Sequence, residues 1–308
     1  MLEMIIQLIV SGIAMGFIYA LVAIEYTLVW NATRLLNLAH TSVIILGAYF
    51  FAYTFVQQVG LPFWISLILA TIVMAIIGVF ISNAIFVPLI KVSATYAMIA
   101  TSMVGLIIIE LIKILFTPVP FQIHGFLSGT VKVFGATTTV ANIWIIGAAA
   151  IFVTLLLLFM NKTKIGKAMR CVAENRETAE YMGINTFVNM SITVALSCVI
   201  CAVIGILIIP LYQVKTTMIG TIGLKGFAAS IVGSYGSVPG AIVGGILVGL
   251  LENFAVMAIP AVYKDITAFA LVLTILMVKP RGLFGDSTTK RLARIAEKER
   301  IKESKSNG

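Results

Sequence analysis

Nine stretches of this chain are apolar for about the 20 residues that a helix needs to cross a bilayer, and no other feature restricts its fold so much. They lie near 5–30, 36–59, 62–90, 94–117, 138–160, 188–212, 216–236, 240–260 and 264–280. Charged residues make up only 11% of the chain, too little polar surface to wrap so much apolar material in water. The expectation is an all-α fold, a polytopic transmembrane helical bundle of about nine spans in one domain, 1–285, with a basic tail over 286–308. The first run, MIIQLIVSGIAMGFIYALVAI, has no basic leader and no cleavage site, so it reads as a retained span and not as a signal peptide. Cys171, Cys198 and Cys201 are too few and too badly spaced for a disulfide framework and read as packing residues.

Charge orients the spans. If the segment 161–187 lies inside, an even number of crossings must follow to put the basic tail inside too, and the four remaining runs satisfy this. Sixteen of the 21 Lys and Arg then fall inside: Arg34, Lys91, five in 161–187 and nine from Lys279 onward. The net charge of +9 is accounted for by topology, and nucleic acid is not needed as a partner. The glycine-rich run 216–236, which holds Lys225, either crosses fully or dips and returns. ILGAY at 45–49 and IVGSY at 231–235 stand late in the second run of two four-run blocks, 5–117 and 188–280. Five crossings separate corresponding runs, so this is either an inverted duplication, a common transporter plan, or a coincidence among apolar helices.

One polar island interrupts the second half, RCVAENRETAEYMGI at 170–184, with two arginines and three glutamates. On a helical wheel, Ala168, Cys171, Val172, Asn175, Ala179 and Met182 share one side, and Arg170, Glu174, Glu177 and Glu180 the other. The pattern predicts a short amphipathic helix over 168–183 with Gly183 as its C-cap. Arg170/Glu174 and Arg176/Glu180 run in the weaker order for helix support, so docking must hold the helix. Its small residues suit close approach, either to a partner or to the base of the bundle, better than lying in lipid.

At this point the sequence resembles the permeases of ABC importers of the Liv type, which carry branched-chain amino acids. The resemblance is carried by GFIYALVAI and YTLVW, RLLNLAH followed by LGAY, the polar island, GLKGFAASIVGSYGSVPGAIVGGILVGLLEN and the terminal VKPRGLFG. It implies that 161–187 is a cytoplasmic coupling loop in which Arg170, Ala173, Glu174, Asn175, Ala179 and Gly183 serve docking on cytoplasmic ABC ATPase subunits. It also implies a second homologous permease that completes the pore, a periplasmic or lipid-anchored amino-acid-binding protein, and residence in the cell inner membrane with the C-terminus cytoplasmic. No phosphate-binding G-x-x-x-x-G-K-[ST] occurs; IGKA at 165–168 has Asn161 at the first glycine position and alanine after the lysine. The chain is therefore expected to hold no cofactor and to catalyse nothing itself, with ATP bound by partner subunits.

Ionisable groups at membrane depth are costly in lipid and face partners or cavities. Asn37 and His40, beside Asn31, Arg34 and Thr41 where the first run gives way to the second, are candidate pathway residues or seal a helix end. Arg34 reads as an inside anchor. Lys225 is a candidate for lining a path or gate, and Glu252, after the GxxxG spacings Gly240/Gly244 and Gly245/Gly249, is expected to point into the bundle as a further pathway candidate. Glu110 and Lys113 are expected to satisfy each other. Glu25 stands where the resembled family has glycine, so it either has a local partner or alters the substrate range. Two rivals remain on the sequence: a proton- or sodium-coupled secondary carrier using Glu25 or Glu252, and an ABC permease for urea or short amides. The tail is expected to touch anionic headgroups.

Overall fold

Each apolar run carries a helix in the computed structural model, which describes residues 2–283 apart from 91, 124–126, 128, 134, 258–259, 261–262 and 280–281. The basic tail lies outside the described residues. The elements are α1 (Leu2–Thr33), α2 (His40–Tyr49), α3 (Phe63–Ile81), α4 (Val87–Leu89), α5 (Ala94–Leu115), β1 (Thr130–Val133), β2 (Ala136–Thr139), α6 (Val140–Lys162), α7 (Lys164–Glu174), α8 (Arg176–Tyr181), α9 (Thr186–Ile208), α10 (Gly220–Val232), α11 (Val238–Ala255) and α12 (Lys264–Val278). Two spans carry π-helical turns: α2 runs on through Phe50–Gln58, and α3 joins α4 through Ser82–Phe86.

The expected nine spans need refinement. Among the described residues, six helices are long and apolar enough to cross on their own: Glu3–Thr33, Phe63–Leu89, Ala94–Leu115, Val140–Lys162, Thr186–Ile208 and Val238–Ala255. The other three runs hold α2 with its π extension, the 13-residue α10 and the 15-residue α12. The second run starts four residues later than expected, because residues 34–39 are not helical. The β1–β2 hairpin was not anticipated; it pairs Thr130 with Thr139 and Val133 with Ala136, and turns through Gly135 at φ +87°.

α1 is the central post, packed against α6, α9, α10 and α11. Small residues make this possible. A Cβ on Gly16 would sit 2.8 Å from the Cα of Ile246 in α11, and Gly245 and Gly249 press on the backbones of Ala20 and Gly16. The second GxxxG spacing serves another neighbour, with Gly240 and Gly244 facing Gly233 and Ala229 at the end of α10. Facing outward, α3, α5 and α6 expose Ile72, Ile76, Ile107, Ile114 and Leu155. Such a surface would aggregate in water and is matched by lipid tails.

The packing partners support the inverted duplication. α1 packs on α11 as α3 packs on α9, α1 on α10 as α2 on α9, and α10 on α12 as α2 on α5. Exchanging the two four-run blocks interchanges these pairings, whereas α11 packs on α12 more closely than α3 does on α5. α6 belongs to neither block.

Three ties assign the ends of the spans to one face. Asn31 Nδ2 donates to Gly236 O at 2.9 Å, Arg34 Nη2 to Ala173 O at 2.6 Å, and Leu283 N to Val232 O at 2.8 Å. The end of α1, the loop holding α7 and α8, the α10–α11 turn and the end of α12 therefore share a face. At the opposite face Phe121 and Val214 form an antiparallel bridge, and Tyr49 reaches Thr117 O. The run holding Lys225 thus passes from Val214 on one face to Gly236 on the other. It does so through turns over 216–219 and the 13-residue α10.

Gly249→Leu should wedge α1 from α11, costing about 3 kcal/mol by overpacking. The variant is expected to lose its monodisperse peak in detergent size-exclusion chromatography, whereas Gly147→Leu, at a glycine with open space around it, should behave as wild type.

Candidate functional site

Two buried polar sites and one surface element stand out. The first site is built where α1 passes the start of α2. Glu25 and His40 are fully buried, with His40 Nδ1 3.4 Å from Glu25 Oε2. Ser197 of α9 donates to Glu25 Oε1 at 2.7 Å, His40 Nε2 lies 3.0 Å from Thr41 Oγ1, and the Tyr26 ring lies against the imidazole at 4.1 Å between centroids. Glu25 thus has the local partners that its departure from the resembled family called for. Asn37 is buried beside it, but its side chain accepts the Ala39 N–H at 3.1 Å, the helix-end sealing that was one of its two expected roles. Glu25, Asn37, Thr101 and Ser197 share a cavity of about 10 Å³, space for one water.

The second site lies two turns earlier along α1. Lys225 Nζ donates to Glu252 Oε1 at 2.7 Å and meets Asp265 Oδ1 at 2.5 Å; Tyr19 OH donates to Glu252 Oε2 at 2.7 Å, and Lys264 stands 3.4 Å from Glu252. Glu252 does point into the bundle, and the structure brings together the two pathway candidates Lys225 and Glu252. Low dielectric makes the pair obligatory: either charge alone would be unaffordable there. Tyr19, Asp265, Lys264 and Ser197 were missed by sequence reasoning. The adjacent Lys264–Asp265 at the start of an apolar run was the available signal for two of them.

α10 touches both sites. Gly223 lies against Thr41 and His40, where a Cβ would approach the imidazole Nε2 to 3.1 Å, and Lys225 two residues later belongs to the second site. Phe227 of the same helix packs against Tyr26, with ring centroids 5.1 Å apart and the planes tilted. Glu110 and Lys113, by contrast, pair with each other at 2.6 Å on the outer side of α5.

The surface element corrects the expected helix over 168–183. It is two helices, α7 and α8, broken at Asn175, whose φ of −151° and ψ of 115° are extended. Asn175 ends α7 and N-caps α8, its side chain accepting the Thr178 N–H at 3.0 Å. The competing principle was side-chain capping: asparagine offers the backbone a better partner at a helix start than inside one. Gly183 follows α8 at φ +82°, and the bonds Gly183 N to Glu180 O and Ile184 N to Ala179 O complete a glycine C-cap.

The break rotates the faces. Met169, Val172 and Ala179 are buried on the bundle, so the small-residue side meets the protein's own base, while Cys171 and Met182, expected on that side, are exposed. Arg170 bonds Asn161 instead of Glu174, and Glu174 faces solvent. Ala173 supplies its carbonyl to Arg34. Arg176 lies 3.4 Å from Glu180, and the Thr186 hydroxyl, donating to Glu180, holds that carboxyl below its ordinary range with help from Arg176. Tyr181 at 90% and Met182 at 75% exposure protrude at the tip.

Lys225→Met, which leaves Glu252 without its nearest cation, should lower stability by about 3–5 kcal/mol. Lys225→Met with Glu252→Gln is expected to unfold at a higher temperature than the single variant in detergent; additive losses would contradict the pairing.

Comparison with known proteins places these features. The family described as branched-chain amino acid transport system, permease component, matches residues 8–278. The high-affinity branched-chain amino acid transport system permease protein LivH of Salmonella typhimurium is 30% identical over 295 residues, which is 91% of this chain and 95% of that protein. LivH of Escherichia coli K12 and BraD of Pseudomonas aeruginosa match with the same identity and coverage. The match takes in every helix of the bundle and both buried sites, and the chain therefore belongs to the family of branched-chain amino acid transport permeases, as a multi-pass helical membrane protein.

Proposed function

We propose that this permease is the membrane-spanning subunit of an ABC importer for branched-chain or similar hydrophobic amino acids, driven by separate ATPase subunits. The observation that carries the reading is the α7–α8 element: a capped helix pair whose inner side is seated on α1, α6 and α9 and whose tip presents Tyr181 and Met182 to solvent. An aromatic and a methionine on a polar loop suit a groove on another protein. Arg170, Ala173, Glu174, Asn175, Ala179 and Gly183 then divide their labour, with Ala173 and Ala179 turned toward the bundle, Asn175 and Gly183 shaping the turns, and Arg170 and Glu174 on the polar side. The face holding α7 carries Lys162, Lys164, Lys167, Arg170 and Arg176, an excess of positive charge that supports a cytoplasmic placement of this face and of the C-terminus in the inner membrane.

Transport proceeds by alternating access. Closure of the ATPases displaces α7 and α8, and the helices attached to them tilt. α10 packs on α1 and reaches both buried sites, so a tilt passed to it through α1 would alter Glu25–His40 and Lys225–Glu252 together. Each site sets basic side chains against acidic ones, which suits passage of a zwitterion without a binding step strong enough to slow release. A second homologous permease completes the pore, and a periplasmic or lipid-anchored binding protein supplies selectivity. The buried Glu25–His40 pair also favours a second reading, proton-coupled carriage by this chain alone.

Proteoliposomes decide between them. Leucine uptake is expected only when the ATPases, second permease, binding protein and enclosed ATP are all present; uptake by the lone chain under a proton gradient would select the carrier. Tyr181→Asp with Met182→Glu, at exposed positions, should leave the permease folded while weakening ATPase association at least about tenfold.

A further inference from the structure

We propose that Arg34 is the positioning residue through which α7 acts on the buried Glu25–His40 pair, an inference that rests on the importer reading above. Arg34 follows the last residue of α1 in a left-handed conformation, φ +58°, uncommon for a residue with a Cβ and suited to ending a helix. From that position its guanidinium Nη2 donates to Ala173 O at 2.6 Å, across 139 residues of chain. Ala173 stands in the last turn of α7, where the break at Asn175 leaves carbonyls without the N–H four residues on. A guanidinium is the natural cap for that end, since it carries positive charge and donates in a fixed plane.

On its other side Arg34 leads directly into the stretch that delivers His40. That stretch is bonded along its length: Leu35 N donates to Thr33 Oγ1 at 3.1 Å, Leu38 N to Thr101 Oγ1 at 3.3 Å, and Ala39 N to Asn37 Oδ1 at 3.1 Å. A displacement of Arg34 is therefore passed along a bonded segment, and His40, its end, carries the imidazole that faces Glu25. Arg170 Nη1 also donates to Asn161 Oδ1 at 3.1 Å, but that ties α7 only to the adjoining end of α6, and buried Met169 and Val172 make apolar contacts that hold α7 in place without direction. Arg34 acts through other groups and touches no substrate. A chain of contacts alone does not establish coupling, so the test reads coupling itself.

The experiment compares the complete reconstituted transporter carrying wild type, Arg34→Gln or Arg34→Lys, with ATP hydrolysis and leucine uptake measured on the same vesicles. Arg34→Gln is expected to keep its ATPases and its ATP turnover while leucine moved per ATP falls at least about tenfold. Arg34→Lys, which keeps a cation and a donor, should fall in between. An unchanged ratio in Arg34→Gln, or losses of uptake and hydrolysis in proportion, would reduce Arg34 to a surface anchor and overturn the proposal. If Arg34→Gln does not assemble, Arg34→Lys is read by the same ratio, and wild-type coupling in it overturns the proposal. Absence of ATP-dependent uptake in the wild-type complex would remove the importer reading together with this inference, a result distinct from normal coupling in the variants.

Discussion

The close backbone contact of α1 with α11 is the interaction on which the rest of the bundle depends. In lipid there is no hydrophobic force to drive one apolar helix onto another, so association rests on van der Waals contact, and glycine is the residue that brings backbones nearest. Gly12, Gly16 and Ala20 on one helix and Gly245 and Gly249 on the other provide it. α1 then presents its remaining sides to α6, α9 and α10. Tyr19 and Glu25 project from α1 into the two polar sites six residues, or about 9 Å of helix rise, apart. Both sites are held at fixed separation by the same rod.

Low dielectric governs what those sites can be. Each buried charge has an opposite charge or a hydrogen-bond partner from another helix: Glu25 from α2 and α9, Glu252 from α1, α10 and α12. These bonds are long-range in sequence, and each ties together helices that would otherwise meet only through side-chain packing. A buried pair is weak evidence for stability but good evidence for register, because a one-residue slip of either helix would strand a charge. The polar sites fix how α10 sits between α1 and α2, and that position gives a short helix contact with both.

The membrane bundle was legible in the sequence because hydropathy over about 20 residues integrates many side chains into one strong signal. Same-face placement of the α7 loop and the end of α12 followed from counting crossings, and the burial of Glu252 from its neighbouring glycines. Geometry that depends on single residues was not legible. The wheel over 168–183 assumed one continuous helix and could not register that Asn175 prefers a cap to a helix interior, so Met182 and Cys171 were assigned to the wrong side. The partners of Glu25 and Lys225 lie 172 residues away at Ser197 and 40 away at Asp265, beyond any local pattern. The Arg34 contact with Ala173 is to a backbone carbonyl, which has no sequence signature at all.

α6 stands outside the two matching blocks, yet the plan fails without it. Four crossings return a chain to the side from which it set out, so two four-helix blocks joined directly would point the same way. One added crossing reverses the second block, which makes the observed exchange of packing partners geometrically available. The same crossing delivers its far end, Lys162, to the side where α7 and α8 must be. A single helix with no counterpart thus sets both the relative orientation of the two blocks and the address of the polar loop. In a bundle of this design, parity is a structural element as real as any side chain.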